Sequence, residues 1–228
     1  MRAITKGREP AVLRAYRAVP GATYDGKDFT PVKVEIRRDL LRDQLALCCY
    51  CMRRISDEAR PHPTNPEAPP LVQMKVEHWQ SQHANPHLQL IWANILGACL
   101  GGVSVPQADE TCDTRKGEDA ITLNPLDPSH VATLRCSSAG RLESTNAQFQ
   151  GDIDDRLNLN HRILVADRKA MLKRDLDKLT LRHRGANIPE SAVRALIADV
   201  EEPDGGKAGE HCGVLRLWAR KRYGGRLG

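Results

Sequence analysis

Aromatic residues are scarce in this chain: Phe, Trp and Tyr make up 4% of its 228 residues, and only two are Phe. That scarcity argues against a sandwich or barrel of aromatic-rich strands, while 40% hydrophobic and 28% charged residues suit a helix-rich protein. No apolar run approaches the roughly 20 residues of a membrane helix. The opening MRAITKGREP has basic residues but lacks the apolar stretch of a secretory signal. A cytoplasmic location with no membrane partner is therefore expected. There is no internal repeat and no GxxxxGK[ST] phosphate loop. The net charge of +5 is compatible with binding a phosphate backbone and does not by itself demonstrate it.

What the chain does have is cysteine: Cys48, Cys49, Cys51, Cys99, Cys112, Cys136 and Cys212. In a reducing compartment clustered Cys serve as metal ligands more often than as disulfides, and an odd total fits a fully paired framework poorly. Cys48 and Cys51 have the spacing of a metal knuckle, with Cys49 the spare. Cys99 and Cys112 can supply a second pair, although twelve residues separate them. Four thiolates suit tetrahedral zinc with no open position for chemistry. By spacing alone, a zinc site and a buried CCYC turn among unrelated core Cys are equally good readings. Cys136 and Cys212 read as buried small hydrophobes.

Around these residues the pattern predicts an α+β, mostly helical protein. A short helix is expected over 9–18, with Pro10 in its first turn, and a second over 32–47 running straight into CCYC. RPHPTNPEAPP (60–70), with five Pro, must be a loop. LVQMKVEHW follows as a strand, PHLQLIWANILGACL (86–100) as a helix, and CDTRKGEDAI opens with a short helix. Two strands are expected around Ala139-Gly140. From Asp152 the pattern is helical, with Leu157, Ile163, Leu164, Met171, Leu172, Leu176 and Leu179 near one stripe; Pro189 opens a further helix. The tail WARKRYGGR (218–226) reads as a solvated basic helix end. Three segments result: an N-terminal helical one (1–47), a Cys-bounded core (48–128) and a mainly helical extension (129–228).

A Glu-His pair on a strand, such as Glu77-His78, is usually a solvated face. Its flanks change that reading. CCYC, VEHW, WANILGAC and CDTRKG occur in the order found in the HNH endonuclease superfamily. The chain more particularly resembles the PtuB-like HNH proteins of Septu and retron anti-phage systems. The resemblance rests on ITKGREP (4–10), CCYCMRRI (48–55), KVEHWQSQ (75–82), ANILGACLGG (93–102), CDTRKG (112–117), LNPLDP (123–128) and LNLNHRILVADRK (157–169), spanning about three quarters of the chain.

The resemblance implies a zinc-stabilised ββα-metal core, with structural Zn²⁺ on Cys48, Cys51, Cys99 and Cys112. His78 would be the general base that deprotonates water for attack on a phosphodiester, its imidazole titrating near working pH. Glu77 and Asp113 would hold a catalytic Mg²⁺ or Mn²⁺ through hard oxygen donors. Asn94, the middle letter of the motif, would fix a loop rather than bind metal. Arg115 and Lys116 would contact nucleic-acid phosphates. The first acid is Glu where the superfamily usually has Asp or His, and Asp113 replaces the usual His. Both departures alter the metal's surroundings more than the role of His78, and Asp113 favours hard ions.

His83 and His87 match no motif position, and Trp79 and Trp92 read as core packing. The expected substrate is nucleic acid: DNA by resemblance, with a structured RNA such as tRNA left open. The implied partner is a PtuA-type ABC ATPase, consistent with the missing phosphate loop. In retron versions a reverse transcriptase with its DNA–RNA product would restrain the nuclease. The alternative is an inactive zinc-organised binding module bridging a defence complex.

Overall fold

A computed structural model describes residues 1–103, 105–183 and 188–224; Gly225 and Arg226 of the basic tail lie outside the described residues. Eight α-helices and three small antiparallel sheets make an α+β fold among them.

Helix α1 (Ala11–Arg17) starts after Pro10 and buries Leu13. Helix α2 (Thr30–Asp43) buries Val32, Ile36 and Leu40, which recur every four residues and so form one stripe. It stops at Asp43 and does not run on to the Cys cluster as the apolar pattern suggests. Leu45 and Ala46 instead adopt φ of 55° and 56°. The turn frees Gln44, whose amide donates to Gly97 O at 2.8 Å and accepts from Gly97 N at 2.7 Å. A buried side chain thus satisfies strand-edge groups that a longer helix would leave unpaired.

The Pro-rich stretch is a loop closed at its base by a two-residue pair, β1 (Ala59–Arg60) with β2 (Leu71–Val72). The expected strand over LVQMKVEHW is therefore split. Its second part, β3 (Lys75–His78), pairs antiparallel with β4 (Ile95–Ala98), with Glu77 opposite Leu96 and His78 opposite Ile95. Residues 86–100 are not the predicted helix. Two single 3₁₀ turns, Pro86–Leu88 and Trp92–Asn94, lead into β4, all four of whose residues are buried. A short apolar run has no period that separates a buried strand from a helix; pairing with β3 decides it. Helix α3 (Cys112–Lys116) follows, completing a strand–strand–helix unit.

Helix α4 (Pro128–Ala132) leads to the hairpin β5 (Leu134–Cys136) and β6 (Leu142–Ser144). Gly140 in its turn has φ of 86°, and a Cβ there would lie 2.3 Å from Val165 O, so only glycine lets the hairpin meet the next helix. After α5 (Ala147–Gly151) the chain makes a π-helical turn (Asp152–Arg156) and breaks before α6 (Arg162–His183). The break interrupts the helix expected from Asp152: Asn158 has φ of 46°, and Leu157 O accepts from Cys112 N at 2.8 Å. Leu164, Leu172 and Leu179 of the predicted stripe are buried, whereas Ile163 is 43% exposed. Helices α7 (Glu190–Glu201) and α8 (Val214–Arg222) complete the extension, α8 packing on β5. No helix among the described residues is long and apolar enough to cross a membrane.

Candidate active site

The four Cys form the first part of the site. The Sγ atoms of Cys48, Cys51, Cys99 and Cys112 all lie within 4.8 Å of one another, with Cys51 and Cys99 at 3.7 Å. Tetrahedral zinc with Zn–S bonds near 2.3 Å needs sulfur atoms about 3.8 Å apart. The four-cysteine cluster therefore can hold a structural metal such as zinc. Local backbone explains the placement. Cys48 N donates to Arg53 O at 2.8 Å, Met52 turns with φ of 64°, and Arg53 N donates to Cys51 Sγ at 3.5 Å. Strand β4 delivers Cys99, and α3 opens on Cys112. Burial opposes ionising Cys48, yet hydrogen bonds from the surrounding thiols hold it well below the usual thiol range. Contacts with Cys48, Cys51 and Cys99 push Cys112 up. Cys49 is outside the donor set; its N–H donates to Gly97 O at 3.0 Å, which ties the knuckle to β4.

The second part is built from β3 and α3. Glu77 is buried, and its Oε1 accepts from Tyr50 Oη at 2.7 Å and pairs with Lys116 Nζ at 3.0 Å. Burial raises the Glu77 carboxyl well above the usual range, and a hydrogen bond with Asp113 raises it further. Two carboxylates therefore sit side by side with little solvent. Asp113 also pairs with Lys75 Nζ at 3.2 Å. This hard oxygen pair attracts two ammonium groups, and its chemistry suits a divalent ion of the magnesium type.

Strand alternation turns His78 the other way. Its Nε2 lies 2.9 Å from Gln89 O, and the Tyr24 ring meets it edge-on, centroids 4.5 Å apart at 87°. A carbonyl can only accept, so Nε2 carries the proton and Nδ1 keeps its lone pair. Burial lowers the His78 pKa, helped by the Lys116 charge and opposed by the Gln89 bond. The imidazole is accordingly held neutral, as a base must be. Lys116 links the two residues, since its Nζ pairs with Glu77 and also donates to the His78 backbone oxygen.

Asn94 is buried away from the carboxylates. Its Oδ1 accepts from Gln80 N at 2.8 Å and its Nδ2 donates to Gln80 O at 2.9 Å, closing the loop between β3 and β4. Arg115 donates to Gln107 O at 3.1 Å and to Asp155 O at 3.3 Å. Lys116 is 2% exposed and donates to His78 O at 3.1 Å. Both residues expected at phosphates are thus engaged by protein acceptors. His83 and His87 are exposed. Sequence reasoning missed Tyr50, Gln89 and Tyr24; of these only Tyr50, inside the Cys knuckle, stands in a motif.

A β-hairpin and short helix bearing a Cys₄ cluster beside a Glu–Asp pair and a buried, neutral His define the class of site. No family model matches the chain. It is 28% identical over 144 residues to the Escherichia coli protein named "Retron Ec83 putative HNH endonuclease", covering 56% of this chain and 51% of that protein. The chain thus spans about half the length of the curated relative it matches.

Proposed function

We propose that the chain is a metal-dependent HNH nuclease that hydrolyses phosphodiester bonds. The observation that carries this reading is the pairing of a β3 His, held as the Nε2–H tautomer by Gln89 O, with adjoining Glu77 and Asp113 carboxylates. His78 Nδ1 accepts a proton from water as that oxygen bonds to phosphorus. The bond to the 3′ oxygen breaks, that oxygen takes a proton from solvent, and the products are a 5′-phosphate and a 3′-hydroxyl. Glu77 and Asp113 would hold Mg²⁺ or Mn²⁺, which supplies charge stabilisation to the phosphate and the leaving oxygen. Tyr50 orients Glu77, Asn94 fixes the loop that presents Gln89, and zinc on Cys48, Cys51, Cys99 and Cys112 holds hairpin and helix together.

Similarity to a retron protein and the PtuB-like motif order support an effector role in anti-phage defence. A PtuA-type ATPase is the proposed partner, and in a retron setting a reverse transcriptase with its DNA–RNA product. DNA is the proposed substrate, with structured RNA as the competing target. A second reading, a zinc-organised binding module without catalysis, draws on the engagement of both carboxylates by Lys75 and Lys116.

The test is a cleavage assay with added Mg²⁺ or Mn²⁺ on DNA and RNA, with and without the ATPase. His78→Ala should lower the rate by about 10²–10⁴-fold while zinc content stays unchanged. Cleavage that survives the substitution refutes the mechanism, and no cleavage with any partner favours the binding module.

A further inference from the structure

The strand–strand–helix core is a poor surface for a polyanion on charge grounds. Residues 48–128 carry ten Asp and Glu against six Lys and Arg, whereas residues 1–47 carry ten Lys and Arg against six Asp and Glu. Within the core the cations nearest the site are already engaged: Lys75 by Asp113, Lys116 by Glu77 and Arg115 by backbone carbonyls. A phosphate chain reaching His78 must draw positive charge from elsewhere.

Helix α2 supplies it. Tyr24, whose ring touches His78, lies under Lys33, with Nζ 5.0 Å from the ring centroid. Lys33 is neutralised by Asp25 at 2.9 Å. One turn further along the same face stands Arg37. Its Nε is buried with no acceptor, and Arg37 makes no hydrogen bond or ion pair among the described residues. Burial raises the Tyr24 phenol, and the Arg37 charge opposes that rise. The side chain is half-buried, so its guanidinium is a charge without a partner, and an oxyanion at its open side would compensate it. Its neighbour Arg38 differs: it is exposed and paired with Glu35.

We infer that Arg37 is a nucleic-acid phosphate contact, and that the substrate backbone passes over the Tyr24–α2 face to reach His78. This rests on the nuclease reading and assigns the substrate's path within it. The ligand chemistry is a phosphodiester backbone, shared by DNA and RNA.

The test is binding of labelled single-stranded DNA, duplex DNA and an RNA hairpin to the zinc-loaded 228-residue chain without added magnesium or manganese, over a range of salt. Arg37→Gln should weaken every substrate the wild type binds by about tenfold and reduce the slope of log affinity against log salt by roughly one. Arg38→Gln removes the same charge one residue away and should change affinity less than about twofold. The melting temperature of Arg37→Gln should not fall, since no partner is lost. Equal losses for both variants, an unchanged Arg37→Gln, or a wild type that binds none of the three overturns the assignment. His78-dependent cleavage together with wild-type binding by Arg37→Gln overturns it alone and leaves the nuclease reading standing. Arg37-dependent binding without cleavage keeps the phosphate contact and overturns the nuclease reading together with the path to His78. The three substrates separate a DNA from an RNA preference.

Discussion

The thiol cluster and the carboxylate pair are two donor sets built within one small unit, and they are balanced in opposite ways. Cys48, Cys51, Cys99 and Cys112 gather within 4.8 Å with no ammonium or guanidinium hydrogen-bonded to any of their sulfurs among the described residues. Glu77 and Asp113 each have their own lysine, Lys116 and Lys75. A set of soft donors collected without countercharge depends on a metal for its integrity. A set of hard donors already neutralised from within keeps its shape unaided. The difference teaches that a metal on the thiols would belong to the folding of this unit, whereas under the proposed function a divalent ion at the carboxylates would belong to activity and compete with two lysines.

The sharpest way to break that comparison is to remove a thiol. Cys51→Ser should lose zinc and lower the melting temperature by roughly 10 °C or more, as read by metal analysis and thermal unfolding. Cys49→Ser, adjacent in sequence and outside the donor set, should retain zinc. If both lose it equally, the set has been assigned wrongly. A smaller effect is expected on the carboxylate side. Tyr50→Phe removes one hydrogen bond to Glu77 and should cost about 1–2 kcal/mol in denaturant unfolding, with zinc content unchanged. Loss of zinc in this variant would show that the two sets are not separable.

The smallest and most specific effect is in pH dependence. Burial lowers the His78 pKa from its usual 6.5, so the imidazole becomes neutral, and able to act as the proposed base, at a lower pH than an exposed one. The acid limb of the cleavage rate should therefore fall below pH 6.5. Tyr24→Ala opens the pocket to water and should move that limb upward. A limb above 6.5 in the wild type would contradict the burial seen here.

Much of this arrangement was legible in the residues themselves. The strand carrying Glu77 and His78 and the short helix at Cys112 could each be located by local pattern; the four Cys could be joined as one set only by the order of the motifs around them, because spacing alone left a buried CCYC turn equally open. Residues 86–98 could not: Leu88, Ile91, Trp92 and Ile95 fit a helical face, and only pairing across to β3 makes a strand of the last four. The end of α2 was missed for a similar reason, since Gln44 leaves the helix to serve Gly97, which is distant in sequence. Tyr24, Gln89 and Arg37 carry no motif at all. Their positions beside His78 arise from tertiary packing, which periodicity does not encode.

The Pro-rich excursion of residues 61–70 is held at its base by the Ala59–Val72 and Arg60–Leu71 pairs. It leaves and rejoins the chain between the first two clustered thiols and the last two, and its hydrogen bonds are internal, among His62, Thr64, Asn65, Glu67 and Ala68. Doubling such a loop costs only about 0.6 kcal/mol in closure entropy. The excursion is thus a place where descendants of this chain can lengthen or rewrite themselves, acquiring new surface without loosening the metal clasp around it.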